Sequence, residues 1–257
     1  MDLAQKNVVY LGGFGGIGQK VCAELLGRQL KALAVFDLLP NEQLLSEWQS
    51  KYPQTQTFYE KVDITKRSDL EAAYKAAAAK MSQFDVVVNG MGLMNDRMLL
   101  PTIEINLTGV IHSSLIALDY MDRTKGGQGG QIVNISSVAG LEPTAIMAIY
   151  SAAKHGVTAF TRALAHDFYF LRTGVAFVTI CPGFTDTSLL HDLGDKTTFD
   201  IEAPKVYDRV KRQSAEVCAQ NLVKAIELNK NAAVWLLDVG ELKQLEMPVM
   251  WTPVLQD

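Results

Sequence analysis

The chain has 257 residues, of which 48% are hydrophobic and 20% charged, and its formal net charge is -4. That length can bury a sizeable core as one large α/β domain or two small ones. The acidic balance, with no polybasic cluster, removes the electrostatic case for a nucleic acid or an acidic membrane surface as partner. Three widely spaced cysteines, Cys22, Cys181 and Cys218, suit reduced, buried thiols better than a disulfide framework, and no local signature marks a catalytic one. The first residues lack a basic n-region, and no window approaches the roughly 18 uninterrupted apolar residues of a membrane span. The cytoplasm is the expected compartment.

Asn7 to Leu11 is a short apolar run that reads as a buried strand. It flows into Gly12-Gly-Phe-Gly-Gly-Ile-Gly18 and a helical segment, Gln19 to Arg28. Gly13, Gly15 and Gly18 satisfy G-x-G-x-x-G, whose tasks are a tight turn, close backbone approach to a pyrophosphate and close helix–strand packing. With Phe14, Gly16 and Ile17 they form the expected phosphate-binding turn at the positive end of the helix. The second strand, Ala32 to Phe36, ends at Asp37, 19 residues past Gly18. A carboxylate there accepts hydrogen bonds from an adenosine ribose and repels the 2′-phosphate of NADP, so NAD is the expected cofactor.

The alternation continues with a helix over 42–51, a strand over 55–62 with its turn at Asp63-Ile-Thr65, and a helix over 66–81. A strand over 84–89 ends in Asn89-Gly-Met-Gly92. This order predicts a single-domain α/β fold, a doubly wound parallel sheet of about seven strands with helices on both faces. Ligands bind beyond the carboxyl ends of such strands, where Gly90 and Gly92 lie. A long helix over about 97–121 carries Asn106, a mediocre helix former, in its middle.

The strand over 131–135 leads to Ser136, Ser137 and then Tyr150 and Lys154, four residues apart and so on one face of a helix. A phenol beside an ammonium, facing serines at a strand end, is an acid–base constellation. The helix runs on to Tyr169, a strand covers 175–180, and Cys181-Pro-Gly-Phe-Thr-Asp-Thr-Ser188 follows. Residues 189–213 have weak periodicity and read as a substrate lid. A helix over 215–229, a last strand over 233–237 and an apolar tail within 240–257 complete the chain. The four histidines, His112, His155, His166 and His191, show no paired ligand spacing, and no metal is expected.

Gly13-x-Gly15-x-x-Gly18, Asn89-Gly-x-Gly92, Asn106, Ser137 and Tyr150-x-x-x-Lys154, in this order and across nearly the whole chain, resemble the short-chain dehydrogenase/reductase family. Gly-Gly-x-Gly-Gly at 126–130, Cys-Pro-Gly at 181–183 and Val-Lys-Ala-Ile-Glu-Leu-Asn at 223–229 look like its insect alcohol dehydrogenase branch. The resemblance implies a Rossmann-type fold, NAD-dependent interconversion of a small apolar alcohol and its carbonyl compound, and a homodimer. It implies Tyr150 as general base in alcohol oxidation, Lys154 as its pKa-lowering neighbour and ribose ligand, and Ser137 as partner of the substrate oxygen. Ser137 is preferred to Ser136 because its spacing to Tyr150 matches the family.

Asn106 would hold a water linking Lys154 to solvent. Asp37 would bind the adenosine ribose, Asp63 and Ile64 the adenine, and Thr185 with Thr187 the nicotinamide amide. Asn89, Gly90, Pro182 and Gly183 complete the implied cofactor set, and Leu93, Met147 and Phe184 the substrate pocket. Met91, where small residues are usual, would narrow that pocket. The alternative function is an NAD-binding developmental or storage protein with little turnover.

Overall fold

Alternating side chains on short buried strands set the architecture of this computed structural model, which describes residues 1–199 and 209–248. On β1 (Asn7–Leu11), Val8 and Tyr10 face one layer of helices, while Val9 and Leu11 face the other. That is the period-two geometry of a strand covered on both sides. The strands β2 (Ala32–Asp37), β3 (Gln56–Lys61), β4 (Val86–Asn89), β5 (Gly130–Ile135), β6 (Val175–Pro182) and β7 (Val234–Asp238) pair in parallel with their neighbours. The sheet order is β3-β2-β1-β4-β5-β6-β7-β8. Leaving β1, the chain builds to one side, and at β4 it crosses to the other; the crevice at that reversal is where ligands bind in such sheets.

The expected sheet of about seven strands gains an eighth, β8 (Glu241–Leu245), antiparallel to β7. Val239 and Gly240 turn the chain with φ of 47° and 85°, the pair of positive values that a two-residue hairpin loop needs. The strand Glu-Leu-Lys-Gln-Leu is short and half polar, so it carries little strand signal in the sequence.

One helical layer holds α1 (Gly16–Leu26), α2 (Glu42–Lys51) and α7 (Ala215–Leu228), joined to the sheet through Val21, Leu25, Trp48, Leu222 and Ile226. The other holds α3 (Arg67–Lys80), α4 (Leu99–Met121) and α5 (Ala148–Leu164). The single helix expected to run to Tyr169 is two: α5 stops at Leu164, and α6 (Asp167–Thr173) starts afresh with the His166 side chain accepting the Phe168 N–H at 3.2 Å.

By length and composition α4 could cross a membrane. Here its inner face is built into the fold through buried polar groups. Ser113 Oγ bonds Tyr74 and donates to Asn89, Asn89 donates to Ser114 and Asn134, and Asn134 donates to Thr161 on α5. Between Glu104 and Thr108 the helix widens into a π turn.

Of the lid expected over 189–213, Ser188–Leu190 and Leu193–Lys196 form 3₁₀ turns and residues 200–208 lie outside the described residues. Residues 249–257 of the expected tail, including Trp251, also lie outside them.

Candidate active site

A cavity of about 1060 Å³ opens over the carboxyl ends of the central strands, lined from Phe14 and Asp37 at one end to Tyr150 and Leu193 at the other. The glycine turn forms one wall. The left-handed turn falls on Gly12 (φ +81°), one residue before Gly13, and a Cβ there would lie 2.9 Å from the Met91 amide nitrogen. Gly13 faces inward, where a Cβ would sit 2.8 Å from Val35 Cγ1, so it serves helix–strand packing and does not line the cavity. A Cβ on Gly18 would collide with the Gly12 carbonyl. Gly15 is the N-cap of α1 and supplies no capping side chain, while Gly16 rests against Thr187, with 2.7 Å available to a Cβ. Free N–H groups at a helix start, walled by glycine and hydroxyl, fit a phosphate.

Asp37 closes this wall. Its Oδ2 accepts the Phe14 N–H at 3.0 Å and its Oδ1 the Leu38 N–H at 2.8 Å. Burial raises its pKa, and those backbone bonds pull the other way. Phe14 stacks on Trp48 at 5.9 Å and lies 5.7 Å from the Tyr59 ring, which stiffens the turn from below. Leu38, Leu39 and Ile64 line an apolar slot, with Asp63 beside it. The Thr65 hydroxyl, and then Lys66, hold the Asp63 carboxyl below its usual range.

Three expected site residues lie behind the cavity wall. Asn89 is fully buried and its amide is spent on Ser114 and Asn134. Gly13 is placed as above. Asn106 is also fully buried: its Nδ2 donates to Leu93 O at 2.6 Å and Thr102 O at 2.8 Å, and its Oδ1 accepts the Leu93 N–H at 3.2 Å. The Thr102 carbonyl lies one turn before the amide, at the π turn. Asn106 thus fixes the backbone of Leu93. A Cβ on Gly92 would lie 3.2 Å from Asn106 Oδ1 and 3.8 Å from Lys154 Nζ. The missing side chain leaves a gap between those two groups.

Tyr150 and Lys154 stack on α5, with the ammonium 5.7 Å from the phenol ring centroid. Lys154 Nζ donates to Ile135 O at 2.9 Å. The Ser137 side chain hydrogen-bonds the phenol. Ser136 turns away, its hydroxyl donating to Lys154 O and bonding Thr158. Burial pushes Tyr150 up to about 12, and the Ser137 bond opposes it; burial also brings Lys154 down to about 8. Burial is thus the largest influence on both groups in the folded chain.

Cys181 lies within reach of Ser136, Ser137, Thr158 and Lys154, but burial raises its thiol to about 12 and keeps it protonated near neutrality. Among the described residues, no cluster of His, Cys, Asp and Glu could hold a metal.

Beyond Tyr150 lies an apolar chamber of Met94, Ala139, Ile146 and Met147, with Leu189, Leu190 and Leu193 against it. Met147 was expected there, and the three leucines belong to the segment read as a lid; Met94 and Ile146 were not expected, since isolated apolar residues in irregular segments carry no periodicity. Leu93, Phe184, Gly90, Pro182, Gly183 and Thr187 line the cavity, and Met91 both lines it and packs on the core. Thr185 turns inward, donating to Gly183 O and accepting from Gln213 Nε2 at 3.2 Å. Gln213, buried and also bonded to Leu237 O, is a rim support with no sequence motif.

Residues 6–198 match the family model described as short chain dehydrogenase. Alcohol dehydrogenase 1 of Ceratitis capitata is 41% identical over 255 residues, 98% of this chain and 99% of that one. Fat body protein 2 of Drosophila melanogaster is 34% identical over 252 residues, 97% and 98% of the two chains. Among solved structures, a short-chain dehydrogenase/reductase from Burkholderia phymatum in complex with NAD superposes with a TM-score of 0.76 at 20% identity, over 92% of this chain and 90% of that one. With its glycine turn, its Tyr150–Lys154 helix face and these near full-length relatives, the chain belongs to the short-chain dehydrogenase family of oxidoreductases, in the branch that includes these insect proteins.

Proposed function

We propose that the protein is an NAD-dependent alcohol dehydrogenase that interconverts a small or medium apolar alcohol and its aldehyde or ketone. The observation that carries this reading is the Tyr150 phenol, bonded by Ser137 and 5.7 Å (ring centroid) from the Lys154 ammonium, at the floor of an apolar chamber. The glycine turn, the open start of α1 and Asp37 support a dinucleotide along the other arm of the cavity, and the carboxylate supports NAD over NADP. The NAD complex of the Burkholderia protein agrees with that choice.

Bound NAD⁺ supplies the hydride acceptor and a positive ring charge. Ser137 Oγ holds the alcohol oxygen, and the Tyr150 phenolate takes its proton. Bringing the phenol from about 12 to near neutrality takes roughly 7 kcal/mol of phenolate stabilisation. A Lys154 ammonium about 5 Å off contributes roughly 3 kcal/mol at an effective dielectric near 20. The bond to Ser137 is already contained in that starting value, so roughly 4 kcal/mol would be left for the bound cofactor to supply. The gap off Gly92 suits the water through which Lys154 would pass the proton towards Asn106 and solvent.

Exposed Leu99, Leu100 and Leu115 on α4 support a homodimer, and three buried free cysteines suit the cytoplasm. NADH formation across a panel of primary and secondary alcohols tests the reading. Turnover should disappear in Tyr150→Phe and Lys154→Met, and full activity in both variants would sink the mechanism. NAD binding without oxidation of any alcohol would instead mark a binding protein.

A further inference from the structure

Helix α5 begins without a local cap: the Met147 side chain bonds none of its N–H groups. The first three donors are satisfied from more than 49 residues away in sequence. Asp96 accepts the Tyr150 N–H on Oδ1 at 2.9 Å and the Ile149 N–H on Oδ2 at 2.8 Å. The Ala148 N–H reaches Thr198 Oγ1 at 3.3 Å. Thr198 in turn donates its hydroxyl to Asp96 Oδ2 at 2.8 Å, and its own N–H bonds Ile146 O at 3.0 Å. The Asp96 N–H donates to Lys196 O at 2.8 Å. The carboxylate is 5% exposed.

One buried side chain therefore joins three parts of the site: the loop after β4, the helix turn that bears Tyr150, and the segment ending at Thr198. That segment carries Leu189, Leu190 and Leu193, the outer wall of the apolar chamber. A carboxylate on free N–H groups at a helix start is favoured by charge and geometry together, and burial makes its loss expensive.

We propose that Asp96 is a positioning residue, which sets the Tyr150 phenol against the chamber and latches the chamber's outer wall to the start of the catalytic helix. Seating an apolar alcohol under that wall and aligning the phenol are then one event. The inference rests on Tyr150 as the acid–base group, and its test includes an arm that needs no turnover.

The experiment compares wild type, Asp96→Asn, Thr198→Val and the double variant in the full chain, with alcohol kinetics, NADH fluorescence titration and amide hydrogen exchange. Thr198→Val removes the hydroxyl link from the wall to Asp96 and to the Ala148 N–H but keeps both carboxylate bonds to Ile149 and Tyr150: KM for alcohol should rise about 5-fold while kcat stays within about 2-fold. Asp96→Asn loses the alignment as well, and kcat should fall at least about 10-fold. NADH affinity should stay within about 2-fold in all variants, since the dinucleotide arm is untouched. The double variant should be little worse than Asp96→Asn, because both changes break one link. Exchange at the Ile149 and Tyr150 amides should quicken by about 10-fold in Asp96→Asn and be restrained in wild type.

Losses that multiply in the double variant overturn the proposal, as does a fall in melting temperature with kcat and KM unchanged. If Asp96→Asn does not fold, the KM-against-kcat split in Thr198→Val and its rescue by Thr198→Ser decide the matter. If wild type oxidises no alcohol, the reading of Tyr150 fails, while the exchange rates at Ile149 and Tyr150 still judge the latch.

Discussion

Replacing Lys154 with Met should remove the pH dependence that a buried ammonium imposes on folding. Burial lowers this group from 10.5 to about 8 in the folded chain. Between those values the unfolded chain holds the proton and the folded chain has released it, so stability rises with pH. Below about pH 8 the folded chain carries the whole penalty, and above 10.5 the penalty is gone. From pH 7 to pH 10 wild type should gain about 2.5 kcal/mol that Lys154→Met, lacking the group, does not gain.

Ionisations common to the two proteins cancel in the difference. The variant loses the bond to Ile135 O, about 1.5–3 kcal/mol for a charged donor, which offsets much of its relief at pH 7. It should therefore start near wild type and fall behind as pH rises. Urea unfolding of the cofactor-free proteins at pH 7, 8, 9 and 10 measures this, with m-values checked for constancy. A difference between the proteins that stays flat across that range would refute the assignment of a depressed, buried lysine.

Other substitutions probe the rest of the site. Gly92→Ala fills the gap between Asn106 and Lys154; kcat should fall about 10-fold while NADH binding stays within about 2-fold, as stopped-flow and fluorescence would show. Asp37→Asn keeps the volume but removes the charge, so NADH should bind about 10-fold more weakly and the preference over NADPH should shrink, measured by titrating both. Asn106→Leu strands the Leu93 N–H and two carbonyls inside the fold. The stability loss should be about 2–4 kcal/mol by denaturant unfolding.

Features set by local pattern were legible in the sequence. The βα alternation, the glycine turn and Asp37 place one arm of the cavity, because each depends on residues close in the chain. The Tyr150–Lys154 face follows from helical periodicity alone. Features set by distant partners were not legible. Nothing beside Asp96 announces that its carboxylate caps a helix 53 residues away, and Gln213 and Met94 reach the site only after the chain has folded. The break at Ala165 was hidden because its cap is a histidine, a residue with little cap signal. Asn89 reads as a cofactor ligand by motif, yet its side chain faces the core. The tight turn sits at Gly12 because that residue must pass beside Met91, a contact that no spacing rule contains.

The chain of hydrogen bonds from Tyr74 through Ser113, Asn89, Ser114 and Asn134 to Thr161 also constrains how this sequence can change. Each member satisfies its neighbour away from water, so removing one strands another at about 1–3 kcal/mol. Replacing the set by apolar groups of matching shape would cost far less than the first single step towards it. These six positions are therefore separated from an oily alternative by a barrier of single changes, and drift among them would have to be concerted. One end of that set is α5, so the same barrier holds the seating of the helix that bears Tyr150 on the sheet against piecemeal change.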